Sequence, residues 1–219
     1  MRLQSGMAGL LPAAALAMVA SLAMPFATAL AQGYNPLPEG FQFVAQAGFA
    51  WSTITEVEPV GTEQFSRLRG TAYSLRMTHN VLGPLVGFVE AGAAARGAQV
   101  KAPGAPDAEY RSRWWTVTSG VSLVGKCVTF ICPTLDAGVG LGLIRQSLLY
   151  DAANGRPVGT IGTARYETSA VVGVRLAVPQ WRGLAVVARH QEGLTNLLTN
   201  GNSARGRGQV FMVSLPLTR

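Results

Sequence analysis

The chain has 219 residues, of which 48% are hydrophobic and only 13% charged, with 26 glycines and a formal net charge of +7. Beyond its first thirty-odd residues it has no apolar run of the roughly 20 residues that a membrane helix requires, so its hydrophobicity is spread over short segments. That combination excludes a bundle of membrane helices and does not suit an ordinary soluble domain.

The first element is an export signal. Arg2, the Ala/Leu-rich run from Leu10 to Leu22 and the triplet Ala29-Leu30-Ala31 follow the basic, apolar, small-x-small order of a cleaved leader. Residues 1–31 are expected to be removed before Gln32, leaving residues 32–219 as one barrel domain.

From Phe41 onward apolar residues recur at every second position, the period of a strand with one greasy face. Phe41, Phe43, Ala45, Ala47, Phe49 and Trp51 alternate with Gln42, Val44, Gln46, Gly48, Ala50 and Ser52; Tyr73, Leu75 and Met77 alternate with Ala72, Ser74, Arg76 and Thr78. A third segment, from Leu85 to Arg96, sets Leu85, Val89, Ala91 and Ala93 against Glu90, Gly92 and Ala94, blurred by Val86 and Phe88. In the fourth, Trp115, Val117, Val121 and Leu123 face away from Trp114, Thr116, Thr118 and Ser122. The fifth is the clearest: Leu135, Ala137, Val139, Leu141 and Leu143 against Asp136, Gly138, Gly140 and Gly142. A sixth opposes Thr168 to Leu176 and Glu167 to Arg175, a seventh opposes Leu184, Val186 and Ala188 to Ala185, Val187 and Arg189, and an eighth aligns Phe211, Val213, Leu215 and Leu217.

The connectors alternate in length. Long ones, near 53–69, 99–110, 150–164 and 192–206, are rich in Gly, Pro, Asn, Thr and charge; short ones lie at 79–84, 126–133 and 178–183. Short turns at one end and long loops at the other are the habit of a membrane barrel. The expected fold is therefore all-β, an eight-stranded antiparallel up-and-down transmembrane β-barrel whose strands need about 9 to 11 residues each. A barrel of eight strands has an interior that side chains fill. Parity places Gln46, Arg76, Glu90, Asp136, Glu167, Arg175 and Arg189 there as a paired polar network, with an ion pathway gated by the same pairs as the functional alternative. Cys127 and Cys132 fall in one short turn and are expected to form a disulfide after export, two free thiols being the alternative. The aromatic residues Trp51, Tyr73, Trp114, Trp115, Tyr150, Tyr166 and Trp181 fall near strand ends, as an interfacial girdle requires, with packing inside the barrel as the alternative, which parity assigns to Trp114.

Three phrases, Gly48-Phe49-Ala50-Trp51-Ser52, Ala137-Gly138-Val139-Gly140-Leu141-Gly142, and Ala188-Arg189 leading to Gly193-Leu194-Thr195-Asn196, resemble in order and spacing the small outer-membrane β-barrel family that includes the PorT-like and OmpX-like proteins. The resemblance covers about Phe41 to Arg219. It implies an outer-membrane location, insertion by the barrel-assembly machinery and a monomer, and says little about a task. The chain departs from the family in ending Leu217-Thr218-Arg219 instead of on an aromatic residue, and Pro216 suggests that pairing stops near Leu215.

Catalytic chemistry finds few candidates. His79 sits beside a turn. His190 lies next to Glu192 ahead of a long loop, where some outer-membrane barrels that deacylate lipid A carry a His and a nearby Ser, but Arg189-His190-Gln191-Glu192-Gly193 lacks that Ser and an activated nucleophile needs a hydroxyl within reach. No phosphate loop, cofactor motif or metal-ligand set is seen. The basic residues, Arg96 and Arg145 among them, gather at the outer ends, and Arg67, Arg69, Arg111 and Arg113 are candidate contacts for lipopolysaccharide phosphates, which match the guanidinium fork; nucleic acid is not expected as a partner of an exported barrel. Two alternatives stand beside a structural or interaction role for a membrane barrel: an exported soluble barrel of lipocalin type holding a small apolar ligand, and an outer-membrane lipid-modifying enzyme using His190.

Overall fold

Each alternating segment forms a strand. The computed structural model describes residues 40–56, 64–101, 104, 106–160, 163–197 and 204–217, so the expected signal peptide lies outside the described residues. The strands are β1 (Phe41–Glu56), β2 (Gln64–Leu82), β3 (Leu85–Lys101), β4 (Ala108–Val124), β5 (Cys132–Asp151), β6 (Pro157–Gly159), β7 (Tyr166–Val178), β8 (Leu184–Gly193) and β9 (Ala204–Pro216). Neighbours in sequence pair antiparallel, and β1 closes the sheet by pairing with β9 from Val44↔Pro216 to Glu56↔Ala204. Eight strands form the ring; β6 hangs on the outer end of β5 through Leu149↔Gly159 and Tyr150↔Pro157.

The faces divide as the parity predicts. Val139, Trp115, Leu75, Val172 and Val213 are exposed on the outside, whereas Gln46, Arg76, Glu90, Asp136, Glu167 and Arg189 are buried inside. A soluble ligand carrier needs the opposite sidedness. Val86 and Phe88, which blur the third segment, are inward residues: the Phe88 ring lies 3.8 Å under the Arg76 guanidinium, so an apolar face there serves a cation. Trp114 also points inward, and Gly142 makes this practicable, since a Cβ at that position would stand 2.6 Å from the indole.

Two expectations need correction. The strands run to 16, 19, 17, 17 and 20 residues in β1 to β5, well beyond the 9 to 11 expected. Residues counted as long loops, such as Leu68, Arg69 and Gln99 to Lys101, continue the ladder. Beyond the bilayer the outward face meets water while the inward one carries apolar residues such as Ala98 and Tyr110, so the greasy-outward alternation ends there, while backbone pairing does not depend on it. Pairing also continues past Leu215: Pro216 opposes Val44, and the Leu217 N–H donates to the Phe43 carbonyl at 2.7 Å. Strand alternation turns the missing Pro216 donor toward β8, whose last partner on β9 is Ser214, so no ladder bond is lost.

The lumen is polar in its inner part and apolar at the outer end, where Ile54, Ala98, Tyr110, Trp114, Leu197 and Ala204 form a cluster backed by Phe65, Val100, Ile144 and Leu149. Leu197 enters this plug from the β8–β9 connection, donating to Ala204 and accepting from Ala164, both at 2.8 Å. At the other end the β4–β5 turn is stapled by a Cys127–Cys132 disulfide and a Val128↔Ile131 bridge. Closing so short a loop restricts the unfolded chain by about 2 kcal/mol. The double variant Cys127→Ser/Cys132→Ser should lose about that much in urea unfolding of the refolded barrel and keep its β-sheet circular dichroism.

Candidate functional site in the lumen and on the outer wall

The inner charged layer is built by residues three to six positions from the inner ends of their strands. Asp136 of β5 accepts from Arg76 of β2 through two guanidinium nitrogens, at 2.6 and 2.9 Å, and from Ser122 at 2.7 Å; Arg189 of β8 stands 3.5 Å away. Arg189 in turn donates to Glu90 of β3 at 2.6 Å. With its amide turned to suit its neighbours, Gln46 of β1 accepts from Arg175 at 2.7 Å and donates to Glu90 at 3.2 Å and Ser74 at 3.0 Å. All seven residues read from the sequence as interior point inward, and six of them meet in this layer. Gly173 leaves space for the Arg189 stem, which a Cβ there would approach to 2.6 Å.

Glu167, the seventh, belongs to a separate layer nearer the outer end. Its carboxylate accepts the Gly206 N–H at 2.9 Å and faces Arg96 at 3.8 Å; a Cβ at Gly193 or Gly206 would collide with it. Arg96 also donates to Gln191, whose amide reaches Ser169 at 2.6 Å, and lies 4.8 Å from the Trp114 ring. Sequence reasoning put Arg96 among the outer basic residues and passed over Gln191. Ala93-Ala94-Ala95 offers no contrast between faces, but counting by twos from Glu90 reaches Arg96, and from Arg189 reaches Gln191. Between the layers lies a cavity of about 40 Å³ lined by Glu90, Arg96, Thr118, Arg189 and Gln191 among others, room for two or three waters at roughly 15 Å³ each.

On the outer wall an apolar band gives way to arginine along several strands. Residues 115–123 of β4 are followed at the outer end by Arg113 and Arg111, residues 73–77 of β2 by Arg69 and Arg67, and residues 135–143 of β5 by Arg145. Tyr73, Ala93, Trp115, Leu143 and Tyr166 make one cross-strand row at the upper margin of the band. Phe49, Trp51 and Phe211 pack together, with Arg69 4.5 Å from the Phe49 ring and Arg67 donating to Gln209 at 3.4 Å. The candidate phosphate contacts thus all lie exposed on the outside, in two pairs. Arg111 is the most engaged, donating to Glu109 at 2.5 and 2.9 Å.

His190 is on this outer wall, opposite Gln209 of β9. Its Nε2 lies 3.2 Å from Glu192, which also accepts from Arg207 at 2.7 Å. Of the hydroxyls that follow His190 in the chain, Thr195 accepts the Thr168 N–H at 3.0 Å and Ser203 lies outside the described residues. Among the described residues no group of three metal-ligating side chains forms.

No family model and no curated relative matches the chain. Among solved structures it is similar to Neisserial surface protein A (12% identity, 81% of this chain and 99% of the other, TM-score 0.48). It is also similar to the outer membrane protein OprG from Pseudomonas aeruginosa (11%, 86% and 99%, TM-score 0.47). A third is Ail, the attachment invasion locus protein of Yersinia pestis, in complex with the heparin analogue sucrose octasulfate (13%, 82% and 100%, TM-score 0.45). The fold stated above rests on the strand pairing.

Removing one partner of a buried pair leaves the other charged and unpaired, at a cost of about 3–5 kcal/mol. Asp136→Ala leaves Arg76 without a carboxylate and Arg189 with Glu90 alone, so its urea midpoint in micelles should fall by that equivalent; a loss under about 1 kcal/mol would mean that water, not Asp136, balances Arg76.

Proposed function

We propose that the chain is an integral outer-membrane β-barrel with a structural or interaction role and no catalytic one, whose basic outer wall contacts the phosphates of lipopolysaccharide. The observation that carries the reading is the inverted sidedness: large apolar side chains cover the outside, Val139 at 64% exposure among them, while Arg76, Asp136 and Glu167 are buried. In water such a surface would aggregate; in hydrocarbon it is the favourable arrangement, and a closed sheet leaves no backbone group unpaired there. The band of nine residues on β4 and β5 matches the length of strand that crosses a bilayer. Export by the leader at residues 1–31, insertion by the barrel-assembly machinery and action as a monomer accompany this reading.

The arginines begin where the band ends, at the depth where lipid phosphates lie. Arg67 and Arg69, beside the Phe49, Trp51 and Phe211 cluster, offer forks above an aromatic platform suited to acyl chains.

In fractionated cells the full chain should stay in the outer-membrane pellet and migrate faster on an unboiled gel than after boiling. A soluble, heat-insensitive protein would refute the reading. Val139→Arg should cost about 2–4 kcal/mol in refolding into lipid vesicles, as an arginine at the bilayer midplane does. Changing Arg67, Arg69, Arg111 and Arg113 together to Ser should weaken lipid A binding about tenfold at low ionic strength, since exposed charge contacts contribute modestly and are screened by salt; unchanged binding would remove the lipopolysaccharide contact while leaving the barrel reading intact.

A further inference from the structure

The charges inside the lumen do not balance. Among the described residues four guanidinium groups point inward, Arg76, Arg96, Arg175 and Arg189, against three carboxylates, Glu90, Asp136 and Glu167. The outer layer is neutral, Arg96 facing Glu167. The inner layer has one positive charge too many. Asp136 is held by Arg76 and Arg189, and Glu90 by Arg189, so the surplus falls on Arg175. Its partners are neutral: the Ser214 hydroxyl at 3.3 Å and the Gln46 amide oxygen at 2.7 Å.

Donors are in excess as well. The Nε atoms of Arg76 and Arg189 are buried N–H groups with no acceptor within reach. A cation without a counter-charge in so narrow a lumen is destabilising, and so is each unsatisfied charged donor. An anion is an acceptor that brings no donor of its own, so it answers the surplus charge without adding a donor to a layer that already has two to spare.

We propose that the inner half of the lumen is an anion-binding site, in which a small monovalent anion of the halide class rests against Arg175 beside Ser214. The stoichiometry sets the charge: a single negative charge neutralises the layer, whereas a divalent or larger oxyanion would bring a second charge toward Glu90 and Asp136. The packing sets the size, since Gln46, Thr134, Asp136 and Ser214 around it are all buried. Entry is from the short-turn end: Arg175 is three residues from the end of β7 and is only partly buried. The site is independent of the outer-wall arginines.

The test uses the refolded barrel in a zwitterionic detergent, with chloride or bromide compared against gluconate at equal ionic strength. Chloride and bromide should raise the unfolding temperature saturably and gluconate should not. Arg175→Gln should weaken the apparent halide affinity at least about tenfold, the loss of one charged contact. Ser214→Asp, which supplies an internal carboxylate beside Arg175, should abolish the halide effect and decides the matter if Arg175→Gln does not refold. Bromide-soaked crystals should show an anomalous peak within hydrogen-bond reach of Arg175. Equal stability of the native barrel in chloride and gluconate would mean that water alone solvates Arg175, and would overturn the proposal. A wild-type halide response in Arg175→Gln or Ser214→Asp would place the effect elsewhere and overturn it too.

Discussion

The whole structure depends on closure of the sheet between β1 and β9. In hydrocarbon no water is at hand for a free backbone donor or acceptor, so an open edge is intolerable and each strand must find two neighbours. The thirteen pairs from Val44↔Pro216 to Glu56↔Ala204 remove the two edges that an eight-stranded meander would otherwise expose. Once the ring is shut, period-two side chains sort to the inside or the outside, and the chemistry of each face follows from its surroundings.

Inside, closure creates a problem of charge. A narrow lumen cannot hydrate Arg76, Asp136, Glu90 and Arg189 as bulk water does, so each is held by a partner from a distant strand. Those bonds run across the barrel, from β2 to β5 and from β3 to β8, and tie together strands that are not neighbours in the sheet. The polar network thus adds cross-braces to a wall whose backbone ladder joins only adjacent strands. Glycines complete the arrangement where a large inward group must fit: Gly142 beside Trp114, and Gly193 and Gly206 around the Glu167 carboxylate. The apolar plug around Leu197 and Tyr110 then fills the outer end of the lumen.

Much of this was legible in the sequence because alternation is a direct consequence of having two different solvents on the two faces. The eight strands, the antiparallel order and the seven inward polar residues all come from parity within segments such as 135–143. Legibility ended where that contrast ended. Above the apolar band the outward face meets water and the inward face turns apolar around Tyr110 and Ala98, so the outer parts of β2 to β5 lost the greasy-outward pattern and resembled loop although their backbone pairs. Parity also names which residues face inward without saying which of them meet: that Glu167 joins Arg96 and not the Asp136 layer depends on strand stagger, which no single strand records. Arg96 and His190 show the same limit from opposite sides, the first hidden by an alanine run and found inside, the second singled out for chemistry and found on the outer wall beside Glu192.

The central claim is that the greasy positions of each strand face lipid and their neighbours face the lumen. It is tested most directly by placing single nitroxide-labelled cysteines at 115 through 119 of β4, in a background without Cys127 and Cys132, and reading collision with oxygen and with a water-soluble nickel chelate in vesicles. The account predicts high oxygen accessibility at 115, 117 and 119 and low accessibility at 116 and 118. A flat profile, or one in which 116 and 118 meet the lipid, would contradict it.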